Sequence, residues 1–147
     1  MKPVVDQTII SIAESADVGV CRRKAGHFAA SLGFPEVAVG QIAIVASELA
    51  ENVIDHGGGA GEMLLDEARD PEHGRGMTIC YRDGGPGLDE QTAFADGFSS
   101  GTTLGIGLGA VARLADDCEL RNGPRGEGVE LVVTKWLPRA DDGDGGG

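Results

Sequence analysis

A chain of 147 residues, 41% apolar, with four Phe, one Tyr and one Trp, is long enough for one buried core, built mainly of Val, Ile, Leu and Ala. Its net charge is −12, of which the segment after Pro138 carries only a small part, and no basic stripe relieves it. This excludes a nucleic-acid backbone as partner, and any nucleotide bound here needs a metal ion to offset the repulsion.

Cys21, Cys80 and Cys118 are odd in number and widely spaced. They read as small core residues in a reducing compartment, not as a disulfide or zinc set. The start, Met1-Lys2-Pro3-Val4-Val5-Asp6, lacks the form of a signal peptide, and no apolar run approaches membrane-spanning length. The expectation is a cytoplasmic protein without a membrane partner.

In chain order, Thr8–Ala13 is a β-prone run and the first strand. Ser15 or Asp17 caps a helix that runs to about Leu32 and stops at Gly33, with Val20, Ala25 and Phe28 inward and Arg22, Arg23 and Lys24 on a solvated face. Pro35 opens a second helix that ends near His56, before Gly57-Gly58-Gly59. Within it Ile42, Val45, Leu49 and Val53 recur at the spacing of a buried stripe. Gly61–Ala68 is a strand, Arg69–Arg75 a polar turn, and Met77–Arg82 the clearest strand, delivering Asp83 into Gly84-Gly85-Pro86-Gly87.

Leu88–Thr103 is small and polar with Phe94 and Phe98 as its large anchors, and reads as a mobile lid or an ill-ordered loop. A helix from about Gly107 to Ala115 follows, then strands at Cys118–Arg121 and Val129–Trp136 around a hairpin at Asn122–Gly126. Residues 1–137 form a single domain, and 138–147 an Asp/Gly tail without fixed structure. Strand, two helices, then strands with one late helix is not the alternation of a doubly wound sheet. The expected fold class is an α+β two-layer sandwich: a mixed, mainly antiparallel sheet with helices on one face.

Three groups of residues carry possible chemistry. Glu48 and Asn52 stand four apart on the second helix, so they share a face, and a carboxylate beside a carboxamide can set a base next to a magnesium ligand. Taken alone, the pair is weak evidence, because most such pairs are solvated helix polar groups. Asp83 at a glycine-rich strand end can accept from an exocyclic amine, or be an ordinary Asp-Gly turn residue. Gly105-Ile106-Gly107-Leu108-Gly109 lacks the preceding strand of a dinucleotide fingerprint, yet glycines opening a helix expose N–H groups suited to phosphate oxygens. Packing or turn glycines remain the alternative there.

The ordered set, Glu-x-x-x-Asn on a helix, then Asp-x-Gly-x-Gly, then Gly-x-Gly-x-Gly opening a helix, resembles the GHKL family of ATP-binding domains, which has the Bergerat or histidine-kinase-like ATPase fold. Ser47–Asn52, Asp96-Gly97-Phe98-Ser99, Leu104–Leu114 and Lys135-Trp136-Leu137 are similar to the small serine/threonine switch kinases of the RsbT type, relatives of the anti-sigma-factor kinases. The resemblance spans about Thr8–Leu137.

It implies Mg²⁺ and ATP as cofactors. Glu48 is then the general base, and Asn52 gives its side-chain oxygen to Mg²⁺. Asp83 holds the adenine amino group with Gly85 and Gly87 allowing close approach, and Gly105, Gly107, Leu108 and Gly109 surround the phosphates. It further implies a STAS-domain antagonist or scaffold protein as phosphoryl acceptor in a stress-response partner-switching module (a stressosome), and a PP2C-type phosphatase as a further partner. The alternative is an anti-sigma factor acting by ATP-dependent capture of a sigma factor. The chain departs from the family pattern in four places. Val129 stands for the usual Thr, Glu51 for a basic residue before the Asn, and Gly109-Ala110 for Pro-Gly; and Leu88–Thr103 contains no Lys or Arg.

Overall fold

The structure, a computed structural model, describes residues 7–56, 61–86, 109, 111, 113–122 and 127–138, with the backbone alone at 55–56, 83–86, 120–122 and 127–129. Strand β1 (Thr8–Ile12) leads into helices α1 (Ala16–Leu32) and α2 (Glu36–His56), followed by β2 (Gly61–Asp70) and β3 (Gly74–Pro86). Gly109, Val111, Arg113 and Leu114 are helical. β4 (Asp117–Asn122) and β5 (Glu127–Trp136) complete a five-stranded sheet in the order β1-β2-β3-β5-β4. All four pairings are antiparallel. The protein is an α+β sandwich with its core between the helices and one sheet face.

Local chemistry accounts for the element ends. The Asp17 carboxylate accepts the backbone N–H groups of Ala13 (2.9 Å) and Glu14 (3.0 Å), fixing the bend from β1 into α1. Those two bonds stabilise the ionised form and hold its carboxyl below the ordinary carboxylate value. Ser15 occupies the cap position with no side-chain bond, so the acidic residue does the work by reaching backward. Gly33 ends α1 in the left-handed region (φ 100°), and the N–H groups of Gly33 and Phe34 return to the carbonyls of Ala30 and Ala29. As the sequence predicts, Ala25 and Phe28 are buried and Arg22, Arg23 and Lys24 exposed.

On α2 the stripe Ile42, Val45, Leu49 and Val53 is at most 2% exposed. It faces Met63, Leu65, Ile79 and Leu131 in one continuous core. Each such side chain contributes roughly 1.5–3 kcal/mol on burial, so four together are comparable to a domain's whole net stability. The stripe therefore fixes how α2 is rotated on the sheet. The window Glu36–Ile54 has a mean hydropathy of 1.5, long and apolar enough by composition to cross a membrane. That corrects the expectation that no run reaches such a length; in this fold the stripe is buried against the sheet.

Two further differences concern β3. The turn expected over Arg69–Arg75 is shorter, because β2 and β3 stay paired through Arg69↔Arg75 and Asp70↔Gly74. Glu67 takes ion pairs from Arg69 (3.1 Å) and Arg75 (3.0 Å), so these polar residues extend the ladder instead of breaking it. At its other end β3 continues through Pro86, with a register shift between Asp83 and Pro86, so Asp83 lies within the strand and does not end it. Of the three cysteines, Cys21 is fully buried and Cys80 and Cys118 are half-buried, all free. Burial pushes the Cys21 thiol up to about 11.

Gly76 has β5 pressed against it: a Cβ there would lie 2.5 Å from the Lys135 carbonyl oxygen and 2.6 Å from Trp136 Cε3. Gly40 sits in α2 with nothing within 4 Å. Gly76→Ala should therefore destabilise by about 1–3 kcal/mol, whereas Gly40→Ala should stabilise by about 0.5–1 kcal/mol. Urea unfolding of both variants checks the pair; equal effects of one sign would contradict the packing.

Candidate active site

Helix phase positions the first two residues. Glu48 and Asn52 each precede a stripe residue, Leu49 and Val53, so both sit one step of about 100° from the buried line, at its edge. Glu48 is half-buried there. Partial burial, then the nearby Glu51 carboxylate, raises its carboxyl above the ordinary Glu value of 4.5. A carboxylate whose affinity for a proton is raised is a stronger proton acceptor.

Asn52 goes further in. It is 5% exposed, and its Nδ2 is buried with no hydrogen-bond partner among the described residues. A buried amide left so costs about 1–3 kcal/mol. The unsatisfied atom is a donor, which an acceptor would complete. A carboxamide suits a hard cation through its oxygen and an anion through its NH₂. Among the described residues, no group of three or more His, Cys, Asp or Glu could hold a metal by itself. That is compatible with Mg²⁺, which commonly takes one or two protein ligands and leaves the remainder to phosphates and water.

Asp83 approaches from the sheet. Its backbone is paired with Gly61 on β2 and with Val129 on β5. A Cβ on Gly61 would lie 2.9 Å from Val53 Cγ1 and 2.3 Å from the Arg82 carbonyl oxygen. Val53, one residue beyond Asn52, thus rests on the strand position next to Asp83. The absent side chain at Gly61 brings the end of α2 down to the sheet here. Sequence reading missed Gly61; a glycine at the first position of a strand was its only signal. Gly85 lies in β3, and Gly109 is helical and half-buried. Gly87, Gly105, Gly107 and Leu108, like the segment Leu88–Thr103, lie outside the described residues, as does the side chain of Val129.

A cavity of about 720 Å³ lies at the opposite end of β3 and β5, about 24 Å from Asp83 at the strand rise per residue. Asp70, Glu72, Asp116 and Asp117 line it, and His73 stacks on Trp136 with ring centroids 4.9 Å apart. So acidic a wall is unsuited to a polyphosphate, whatever the cavity's size. The α2–Gly61–Asp83 junction is the better candidate because it combines a perturbed base with an unsatisfied buried amide.

Residues 12–135 match the model of the histidine kinase-like ATPase domain family. Over 133 residues the chain is 35% identical to the serine/threonine-protein kinase RsbT of Bacillus subtilis (strain 168), covering 90% of this chain and 98% of that one. Its fold is similar to a chain in the crystal structure of the SiaB–SiaC complex from Pseudomonas aeruginosa, with a TM-score of 0.53, 12% identity and 91% of each chain covered. The chain therefore belongs to the histidine kinase-like ATPase domain family, in its group of RsbT-type serine/threonine-protein kinases.

Proposed function

We propose that the chain transfers the γ-phosphoryl group of Mg-ATP to a Ser or Thr hydroxyl of a STAS-domain antagonist protein, in the cytoplasmic partner-switching module of a bacterial stress response. The observation that carries this reading is the buried, unsatisfied Asn52 amide one helical turn beyond the half-buried base Glu48.

Asn52 would hold Mg²⁺ through its side-chain oxygen. When bound, that ion supplies the positive charge this acidic chain lacks near the phosphates. Asp83 would accept the adenine amino group, with Gly85 and Gly87 leaving room for the base. The amides of Gly105, Gly107, Leu108 and Gly109 would face the phosphate oxygens. Glu48 takes the proton of the acceptor hydroxyl as its oxygen bonds to the γ-phosphorus, and the bond from that phosphorus to the bridging oxygen breaks, releasing ADP. With no Lys or Arg in Leu88–Thr103, catalysis rests on positioning, the metal charge and backbone dipoles. Release from the phosphorylated partner would free the chain to engage a PP2C-type phosphatase. Sequestration of a sigma factor is the alternative, and it needs no general base.

Incubation with labelled ATP, Mg²⁺ and purified STAS proteins should place label on a partner Ser or Thr. Glu48→Ala should lower that rate by about 10²–10⁴-fold while calorimetry still detects ATP. Sigma-factor capture in a native gel without label on any STAS protein would support the rival. Asn52→Ala should abolish Mg-dependent ATP binding; an unchanged calorimetric titration rejects its role.

The pH profile supplies a separate check. Glu48 must be ionised to act, so activity should fall on the acid side through a pKa above 4.5. Glu51→Gln removes the like charge and should shift that limb to lower pH. A limb that stays in place in Glu51→Gln argues against Glu48 as the titrating base.

A further inference from the structure

Gly40 lies inside α2, and a Cβ placed on it would meet nothing within 4 Å. Glycine weakens a helix interior because its backbone loses the most freedom on folding; its use there is the close approach of another backbone or a ligand. Gly26 on α1 has such a neighbour, with Val39 Cγ1 3.7 Å from where a Cβ would stand. Gly40 has none among the described residues, so packing between them does not account for it.

Its surroundings are apolar without being buried. From Val37 to Ser47 the helix has no charged residue. The Glu36–Ile54 window has a mean hydropathy of 1.5, yet only 39% of it is buried. Val37 (74% exposed) and Ile44 (48%) are two of the three large apolar side chains that stand in solvent among the described residues. At about 100° per residue, Val37, Gly40, Ile44, Glu48 and Glu51 fall within an arc of about 80°, turned away from the buried line and running about 21 Å along the axis. A single exposed aliphatic is ordinary. Two in one row, with bare backbone between them on an uncharged half-helix, form a contact surface.

The charged end of this face distinguishes its occupant. Glu48 stands on the border between the exposed arc and buried Asn52, so its solvent side is the side of Ile44 and Glu51. Glu51 is exposed, forms no ion pair among the described residues, and sets a like charge beside Glu48.

We propose that this face of α2 is the docking surface for the phosphoryl-acceptor protein, which sets an apolar patch on Val37 and Ile44, brings its backbone onto Gly40, and places a Lys or Arg against Glu51 beside the Ser or Thr offered to Glu48. This rests on the reading of Glu48 as the base acting on a STAS-domain acceptor. A second copy of this chain, at −12 and with the same two carboxylates, meets like charge here, as does an anionic membrane surface. A protein with a basic residue at the rim meets the opposite charge, and the apolar row supplies the dry centre of the interface.

The test uses the full chain and a purified STAS protein that the wild type labels from Mg-ATP. Val37→Gln, Gly40→Gln and Ile44→Gln should each raise KM for that protein by about 5–30-fold, with the calorimetric affinity for Mg-ATP unchanged. Gly40→Gln should do so with a urea midpoint at or above wild type, which separates docking from folding. Glu51→Lys should raise the same KM, and added salt should raise it for wild type and less so for Glu51→Gln. An unchanged acceptor KM in the three Gln variants overturns the docking face and leaves the kinase reading standing. A dimer in sedimentation, or binding to phosphatidylcholine vesicles, that Ile44→Gln abolishes gives the face to another occupant and also overturns it. A wild type that labels no STAS protein overturns the acceptor reading and this inference together.

Discussion

The packing of one apolar line on α2 against the sheet is the constraint from which the site follows. Ile42, Val45, Leu49 and Val53 are essentially removed from solvent, and together they outweigh any polar preference on the same helix. Once that line is down, Glu48 and Asn52 have no freedom about where they lie, since each is the residue before a stripe position. The helix delivers one half-buried carboxylate and one buried carboxamide to the same edge. The carboxylate gains basicity from that placement, and the carboxamide gains a need for a partner. Function here is a cost accepted at the border of the core.

The fold keeps its two ends chemically apart. At the α2–Gly61 junction the backbone of Asp83 is brought beside the end of α2 by a missing side chain. At the far end, Trp136 stacks on His73, which is bonded to Asp70, and Leu137 donates its N–H to Arg75. The hydrogen bond to Asp70 holds the His73 imidazole above its usual value. Lys135 belongs to this far end yet reaches the exit of the helix that follows the glycine box. β5 therefore links the two regions: Val129 pairs with Asp83 near one end of the strand, and Lys135 and Trp136 close the other.

Charge sets the remaining terms of the chemistry. A protein at −12 offers little of its own to neutralise a triphosphate. The described site adds a carboxylate and a neutral amide, and no cation. Such a site can still work by geometry, because phosphoryl transfer asks for alignment and for charge supplied by a metal more than for covalent participation. The acidic cavity beside Trp136 shows the same point in reverse, as a large space that charge makes unfit for the ligand.

The sequence by itself determined the periodic and punctuated features. The α2 stripe, the stop at Gly33, the order of strands and helices and the three glycine- or acid-marked boxes are all written in local spacing, since 3.6- and 2-residue periods and glycine's backbone freedom act within a few residues. The ends of β2 and β3 were less legible, because the ion pairs of Glu67 with Arg69 and Arg75 carry strand through residues that read as a turn. What only the tertiary structure decided are contacts between residues distant in the chain. The closeness of Gly61 to Val53, the pairing of Asp83 with Val129, the depth of Asn52 and the reach of Lys135 to Leu114 depend on how α2 and β5 meet the sheet. No local pattern encodes them, because burial and hydrogen bonding are settled by what arrives from elsewhere in the chain.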